Sequence, residues 1–214
     1  MGGALVLALA LAAGLGSAAL AGSGGKGKGE LAETDIRDSY HRSYRYEKTQ
    51  DYDEAIKTLL PVSQAYPEGY TVNLRLGWLY YLAGKFTNAQ KHYETAMKVA
   101  PYSLDAKLGY TLPLMARELY KDVEVFTRQV LAIDPANYTG NLRLAFALRM
   151  QSKLDQAEQV LVAMLQLYPT DVKYLTELGL VHVARGSRDA ARGVFREVLV
   201  LDPENPVARH QLAQ

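Results

Sequence analysis

Four histidines are the side chains of this sequence best suited to bind a metal or to move a proton near neutral pH. They stand at His41, His92, His182 and His210. Two imidazoles on one helix bind a metal together when they are three or four residues apart, with a carboxylate nearby. No pair of these histidines has that spacing. The sequence therefore predicts no metal site.

The other residue types predict a folded protein that is not an enzyme. There is no Cys, which excludes disulfides, thiolate nucleophiles and thiolate metal ligands together. The sequence contains no Gly-rich phosphate loop, no nucleophile elbow and no pair of carboxylates at catalytic spacing. A formal net charge of +1 gives no electrostatic reason to expect nucleic acid or a strongly anionic membrane as the partner. We expect no catalytic residue and no cofactor.

The first 35 residues differ in composition from the rest. Residues 3–15 are Ala, Leu, Val and Gly only, and Ala19-Leu20-Ala21 fits the small-x-small pattern of signal peptidases. This predicts a signal peptide over residues 1–21 and an exported protein, periplasmic or secreted. No Lys or Arg precedes the apolar run, so an uncleaved signal anchor is the alternative, and membrane contact is expected only in that case. The Gly-rich and Lys-containing residues 22–35 predict a flexible linker.

From residue 36 onward, prolines recur every 34 residues without slippage. They are Pro67, Pro101, Pro135, Pro169 and Pro203. A residue type able to cap a helix N-terminus follows two positions after each one: Gly69, Ser103, Asn137, Asp171 and Asn205. Further cap types within the units are Asp53, Thr87, Asp155 and Asp189. Because proline ends a helix and the cap begins another, each unit is predicted to be a helix, a tight turn and a second helix.

The chain resembles the tetratricopeptide-repeat (TPR) family, whose 34-residue unit is a helical hairpin. The second unit carries the family's alternation of small and large packing residues as Leu76-Gly77, Tyr80, Ala89, Tyr93 and Ala96. The resemblance implies an all-α fold, a right-handed TPR solenoid of about five helical hairpins plus a C-terminal capping helix. The five repeats are expected at residues 36–69, 70–103, 104–137, 138–171 and 172–205, and the capping helix at 206–214.

The third unit departs from the family pattern. Pro113 falls inside its first helix, Val123 occupies a position where Ala is usual, and Lys121 is a poor cap. Because proline removes a helix hydrogen bond, we expect a kink here and a locally weaker unit.

The resemblance also implies where a partner binds, since the first helices of this family line the concave side. The positions that match give a groove with aromatic, apolar and arginine side chains: Tyr40, Tyr44, Leu74, Arg75, Trp78, Tyr81, Leu112, Leu142, Arg143, Phe146 and Arg149. These predict a scaffold that binds a protein or peptide in the groove. The 15 Tyr suggest an alternative, a carrier or sensor for an apolar small molecule or glycan. A purely structural interpretation is that these side chains pack between the hairpins.

A seven-residue segment occurs twice, two units apart. Residues 70–76 and 138–144 agree at six of seven positions, including one Asn and one Arg that the packing pattern does not require. The repetition indicates either a past duplication or a partner contacted at two places.

Overall fold

The computed structural model describes residues 31–214. The predicted signal peptide and residues 22–30 of the predicted linker lie outside the described residues. The described part contains eleven α-helices and no strand. The helices are α1 (Glu33–Lys48), α2 (Tyr52–Ala65), α3 (Tyr70–Leu82), α4 (Phe86–Val99), α5 (Leu104–Ala116), α6 (Tyr120–Ile133), α7 (Tyr138–Met150), α8 (Leu154–Leu167), α9 (Val172–Arg185), α10 (Arg188–Leu201) and α11 (Pro206–Leu212). The prediction of an all-α solenoid is confirmed.

The helices form two layers. Each odd-numbered helix pairs with the next even-numbered helix to make a hairpin, and the even-numbered helix also packs on the following hairpin. The odd-numbered helices also contact one another, α3 with α5, α5 with α7 and α7 with α9. They therefore make a continuous inner layer, which we call the inner face. The short α11 packs on α10 in the place where a further hairpin would begin.

The residues after the prolines cap the inner helices as predicted. Ser103, Asn137, Asp171 and Asn205 each accept a hydrogen bond through a side-chain oxygen from a backbone N–H in the first turn of the helix that follows. Gly69 occupies the same position before α3 without a side-chain bond. Each of these caps satisfies a backbone donor that has no partner within its helix.

The predicted caps inside the units were wrong, because the outer helices begin two residues earlier than expected. The residues that precede these helices are Asp51, Lys85, Leu119, Lys153 and Ser187, and of these only the Asp51 side chain makes a capping bond. The third unit is therefore no worse capped than its neighbours. At the other end of the molecule α1 begins at Glu33, so the last three residues of the predicted linker are helical.

Pro113 lies in the last turn of α5, which continues to Ala116. Its ring is buried, and the neighbouring Leu114 packs with Val123 and Ala147. The helix is not broken at this point, although a proline there cannot donate a hydrogen bond to the carbonyl of Gly109. A second proline, Pro61, lies near the end of α2, and the helix continues past it to Ala65.

Side chains near the turns join neighbouring hairpins on the solenoid surface. Lys85 bonds to Asp53 at 2.5 Å, and Lys153 bonds to Glu124 at 2.6 Å. Arg185 bonds to Asp155 at 2.6 Å in the same manner. Because water screens such pairs at the surface, Lys85–Asp53 and Arg185–Asp155 add little to stability. These ion pairs connect neighbouring hairpins and so help to fix their register.

The repeated seven-residue segment is a set of structural contacts. The Asn73 amide donates to the carbonyls of Pro67 and Gly69, which holds the turn before α3. The Tyr70 hydroxyl lies 2.7 Å from the Oγ of Ser103, the cap of the next hairpin. In the second copy of the segment the Asn141 amide donates to the carbonyl of Pro135 in the same way. These contacts favour the duplication hypothesis, because the asparagines already have partners within the chain.

The tightest contacts at glycines are with aromatic rings of the outer helices, both within a hairpin and between hairpins. The Tyr93 ring of α4 is buried between α3 and α5, where a Cβ added at Gly77 would lie 2.9 Å from it and a Cβ added at Gly109 would lie 2.2 Å from it. Phe195 occupies the corresponding place beside Gly179, where an added Cβ would lie 2.5 Å from the ring. The glycines are required here because no side chain fits beside the ring.

We expect Gly109→Ala to lower the free energy of unfolding by about 1–3 kcal/mol, the usual cost of overpacking. The matched control is Gly193→Ala on α10, where an added Cβ meets nothing within 4 Å. That change should raise stability by up to about 1 kcal/mol, because Ala is the better helix former. Urea unfolding of both variants measures the difference. Equal effects of the two substitutions would show that Tyr93 does not constrain this junction.

Candidate functional site

The residues predicted to form the groove lie on the odd-numbered helices. Tyr44 is half exposed, and Arg75 is buried, with 8% of its surface exposed. The other nine are half-buried: Tyr40, Leu74, Trp78, Tyr81, Leu112, Leu142, Arg143, Phe146 and Arg149. The inner face therefore offers partly exposed apolar side chains. Its arginines are buried or half-buried.

Arg75 is held within the protein. Its Nη1 lies 2.5 Å from a carboxylate oxygen of Glu47, and its Nε donates to the Oγ of Ser43 at 3.3 Å. The Tyr44 ring lies over the guanidinium, 3.9 Å from ring centre to Cζ. The other oxygen of Glu47 accepts from the Trp78 indole N–H at 2.7 Å. A partner would have to displace Tyr44 to contact Arg75.

Arg143 has an equally local role at the centre of the inner face. Its Nη1 donates to the carbonyl of Leu108 at 2.5 Å and to the Oγ1 of Thr111 at 2.8 Å, both on the preceding inner helix. Burial lowers the pKa of Arg143, and the hydroxyls of Tyr81 and Tyr93 oppose that shift. Within residues 31–214 no carboxylate lies within ion-pair distance of it.

Arg149 is paired with Glu177 across the next junction. Its Nε lies 2.6 Å from Oε1 of Glu177 and its Nη2 lies 3.3 Å from Oε2, so the ion pair is bidentate. Arg149 and Glu177 are separated by as many residues as Glu47 and Arg75 are, but here the arginine comes first in the sequence. The same structural position therefore carries an ion pair at two junctions, and either order of charge is accommodated.

A shallow cavity of about 400 Å³ opens on the inner face beside this pair. Leu142 and Phe146 line it together with Met115 and Val172, and Lys173 stands at its rim. Met115 follows Leu112 by three residues on α5 and so lies on the same side of that helix, as its repeat position predicts. Val172 begins α9 and gives no comparable signal in the sequence.

Several tyrosines are held in packing or by hydrogen bonds within the chain. Tyr93 and Tyr174 are buried. The Tyr138 hydroxyl donates to both oxygens of Asp171 at 3.0–3.1 Å, and burial together with this carboxylate raises the pKa of Tyr138 to about 12. Burial likewise raises the pKa of Tyr40 to about 12.

Residues 31–214 bring no three His, Asp or Glu side chains close enough to hold a metal ion. None of the helices there combines the length and the apolar character needed to cross a membrane.

Comparisons with known proteins agree on the architecture. The family model described as "Tetratricopeptide repeat" matches residues 41–109 and 142–206. Uncharacterized protein y4yS of Sinorhizobium fredii (strain NBRC 101917 / NGR234) is 32% identical over 85 residues, which are 40% of this chain and 47% of that protein. The chain thus matches about half the length of this relative.

Solved structures resemble the fold at low sequence identity. MamA of Desulfovibrio magneticus RS-1 is 19% identical with a TM-score of 0.72, covering 80% of this chain and 97% of that one. YrrB, a TPR protein with an unusual peptide-binding site, is 12% identical with a TM-score of 0.68, covering 85% and 94%. A thermophilic TPR protein of Thermus thermophilus, TTC0263, is 14% identical with a TM-score of 0.66, covering 83% and 97%.

The exchanged polarity of the two ion pairs allows a direct test at the second pair. Arg149→Glu and Glu177→Arg alone should each lower stability by about 2 kcal/mol, since each leaves like charges in a partly buried place. The double variant R149E/E177R should recover more than half of the loss. Chemical unfolding of the four proteins measures the coupling. Additive losses in the double variant would mean that the pair does not join α7 to α9.

Proposed function

Because the chain is a member of the tetratricopeptide-repeat family, we propose that it is an exported scaffold that binds a peptide or partner protein in the concave groove formed by its inner face. The family fold is one of interaction scaffolds. The observation that carries the proposal is the strip of partly exposed apolar side chains from Trp78 to Phe146, which ends in the cavity beside Leu142. Apolar surface of this kind commonly marks a contact site.

The ion pairs of the inner face indicate what kind of contact supplies the affinity. Glu47 and Glu177 each neutralise an arginine within the protein. Breaking such pairs to bind a partner would cost more than a new surface ion pair returns. Affinity in the groove therefore comes mainly from burial of Leu112, Leu142 and Phe146.

A carrier or sensor for an apolar small molecule or glycan receives less support. That alternative depended on the number of tyrosines. Tyr93 and Tyr174 are buried in packing, and the Tyr138 hydroxyl is occupied by Asp171. These side chains are not free to stack on a sugar or to line a ligand cavity.

Photo-crosslinking tests the groove. With p-benzoylphenylalanine at Leu112 or Leu142, we expect a discrete crosslinked protein in cells of the source organism. With the same residue at Val125 or Val162, equally apolar but exposed on the outer helices α6 and α8, we expect none. The partner so identified should then bind Phe146→Ala about tenfold or more weakly, the scale of an interface anchor, and Val162→Ala normally. Equal crosslinking on both faces would contradict the groove.

Export rests on the sequence of residues 1–21 and has its own test. N-terminal sequencing of the protein from its source cells should find Gly22 as the first residue, in the periplasm or the medium. An intact Met1 in the membrane fraction would instead support the uncleaved anchor. An intact Met1 in the cytoplasm would contradict both.

A further inference from the structure

Two residues 28 positions apart in the sequence form an ion pair at two of the four junctions between successive inner helices. In chain order, the residues at these positions are Glu47 and Arg75, Tyr81 and Gly109, Met115 and Arg143, and Arg149 and Glu177. The first and the last are the ion pairs described above. At the third junction an arginine shares the position of Arg75, but a methionine takes the place of Glu47. Of the four junctions, this one has an arginine and no carboxylate to match it.

Arg143 is oriented like Arg75 in spite of this difference. Arg75 donates to the Oγ of Ser43 and Arg143 donates to the Oγ1 of Thr111, in each case a hydroxyl 32 residues earlier in the sequence. Arg143 makes its bonds within the protein through Nη1. Its Nε and Nη2 bond to no acceptor among residues 31–214, and both atoms are open to solvent. Arg143 therefore keeps donors for an acceptor that the described chain does not supply.

These donors belong to the cavity of about 400 Å³ on the inner face. Arg143 and Met115 both line it, together with Leu142 and Phe146. Thr176 lines it as well, and its Oγ1 is buried without a hydrogen-bond partner among the described residues. Buried polar groups are usually satisfied, and leaving them unpaired is unfavourable. An apolar cavity with unpaired donors suits a ligand that has an apolar part and an acceptor.

The acidic side chains near the cavity do not neutralise Arg143. Its own helix, α7, has none. The acidic residues of α5, of the turn after α5 and of α9 are Asp105, Glu118 and Glu177. The first two are exposed, Glu177 is held by Arg149, and none of the three is within ion-pair distance of Arg143. Lys173 at the rim adds a second positive charge, so the cavity attracts an anionic group.

We propose that Arg143 selects an acidic residue in the peptide that the groove binds. The side-chain carboxylate of that residue accepts hydrogen bonds from Nε and Nη2 of Arg143, and an adjoining apolar residue of the peptide packs on Leu142 and Phe146. The inference rests on the proposed function, because it names the kind of peptide that the groove accepts. Apolar burial supplies most of the affinity, and the bidentate contact to Arg143 supplies the selectivity.

The first junction provides the model for this contact. There the carboxylate that meets the arginine is the side chain of Glu47. The carboxylate at Arg143 is accordingly assigned to Asp or Glu within the peptide and not to its C-terminus.

Selection from a random peptide library tests the proposal. The peptides are displayed with their C-termini fused to a phage coat protein, so every carboxylate that is selected belongs to a side chain. On the full chain, we expect enriched peptides to share an Asp or Glu next to a large apolar residue. On Arg143→Glu, we expect Lys or Arg to be enriched at that place instead.

Affinity measurements on one selected peptide locate the contact. By fluorescence anisotropy, the acidic peptide should bind the full chain about tenfold more tightly than its twin with the amide, Gln or Asn, at the acidic position. Arg143→Met should abolish this ratio. Met115→Glu should abolish it too, because it supplies the carboxylate that Glu47 provides at the first junction. The matched control Met115→Gln should weaken both peptides alike and keep the ratio.

The outcomes separate this inference from the proposed function. If the library yields no binding peptide, both are contradicted. Enriched peptides that are apolar without an acidic residue, and that bind Phe146→Ala more weakly, would leave the groove in place and remove the role of Arg143. Equal ratios for Met115→Glu and Met115→Gln would also remove it. A synthetic peptide that loses its affinity on C-terminal amidation would assign Arg143 to a chain end, against the proposal. Circular dichroism checks the fold, and the Met115 pair decides if Arg143→Met unfolds.

Discussion

Each hairpin of this chain buries its apolar surface only against its neighbours in sequence, and this constraint governs the rest of the structure. Two helices alone cannot enclose a core, so the interlocking of one hairpin with the next provides most of the burial. The Tyr93 ring between Gly77 and Gly109 shows how little freedom remains at such a junction. Stability is therefore distributed along the stack.

The same constraint explains the chemistry of the inner face. Neighbouring inner helices have to stay in register, and Glu47–Arg75 and Arg149–Glu177 fix that register with paired charges. These four charged groups are therefore already paired within the protein. What the inner face still offers is apolar surface, above all around Leu142 and Phe146.

The sequence predicted the architecture well because the proline and cap positions repeat with the same period as the fold. Side-chain oxygens at Asn137 and Asp171 do cap the inner helices. The prediction that Asp155 caps α8 was wrong. The outer helices start from a tight turn, and an acidic residue favours their first turn without being the cap. The role of Arg75 could not be predicted from composition. An arginine on an inner helix contacts either a partner or a neighbour, and only the side-chain direction towards Glu47 decides between them.

The repeated segment has a consequence for how this array can change in length. Arg75 and Arg143 hold the same place in hairpins two units apart, whereas Gly109 stands there in the hairpin between them. Removing residues 70–137 would set Arg143 opposite Glu47 and restore a charge pair at the new joint. Removing the second hairpin alone, residues 70–103, would set Gly109 opposite Glu47 and leave that carboxylate without its arginine. Loss of 68 residues, twice the 34-residue period, therefore preserves this charge pair where loss of the second hairpin alone does not.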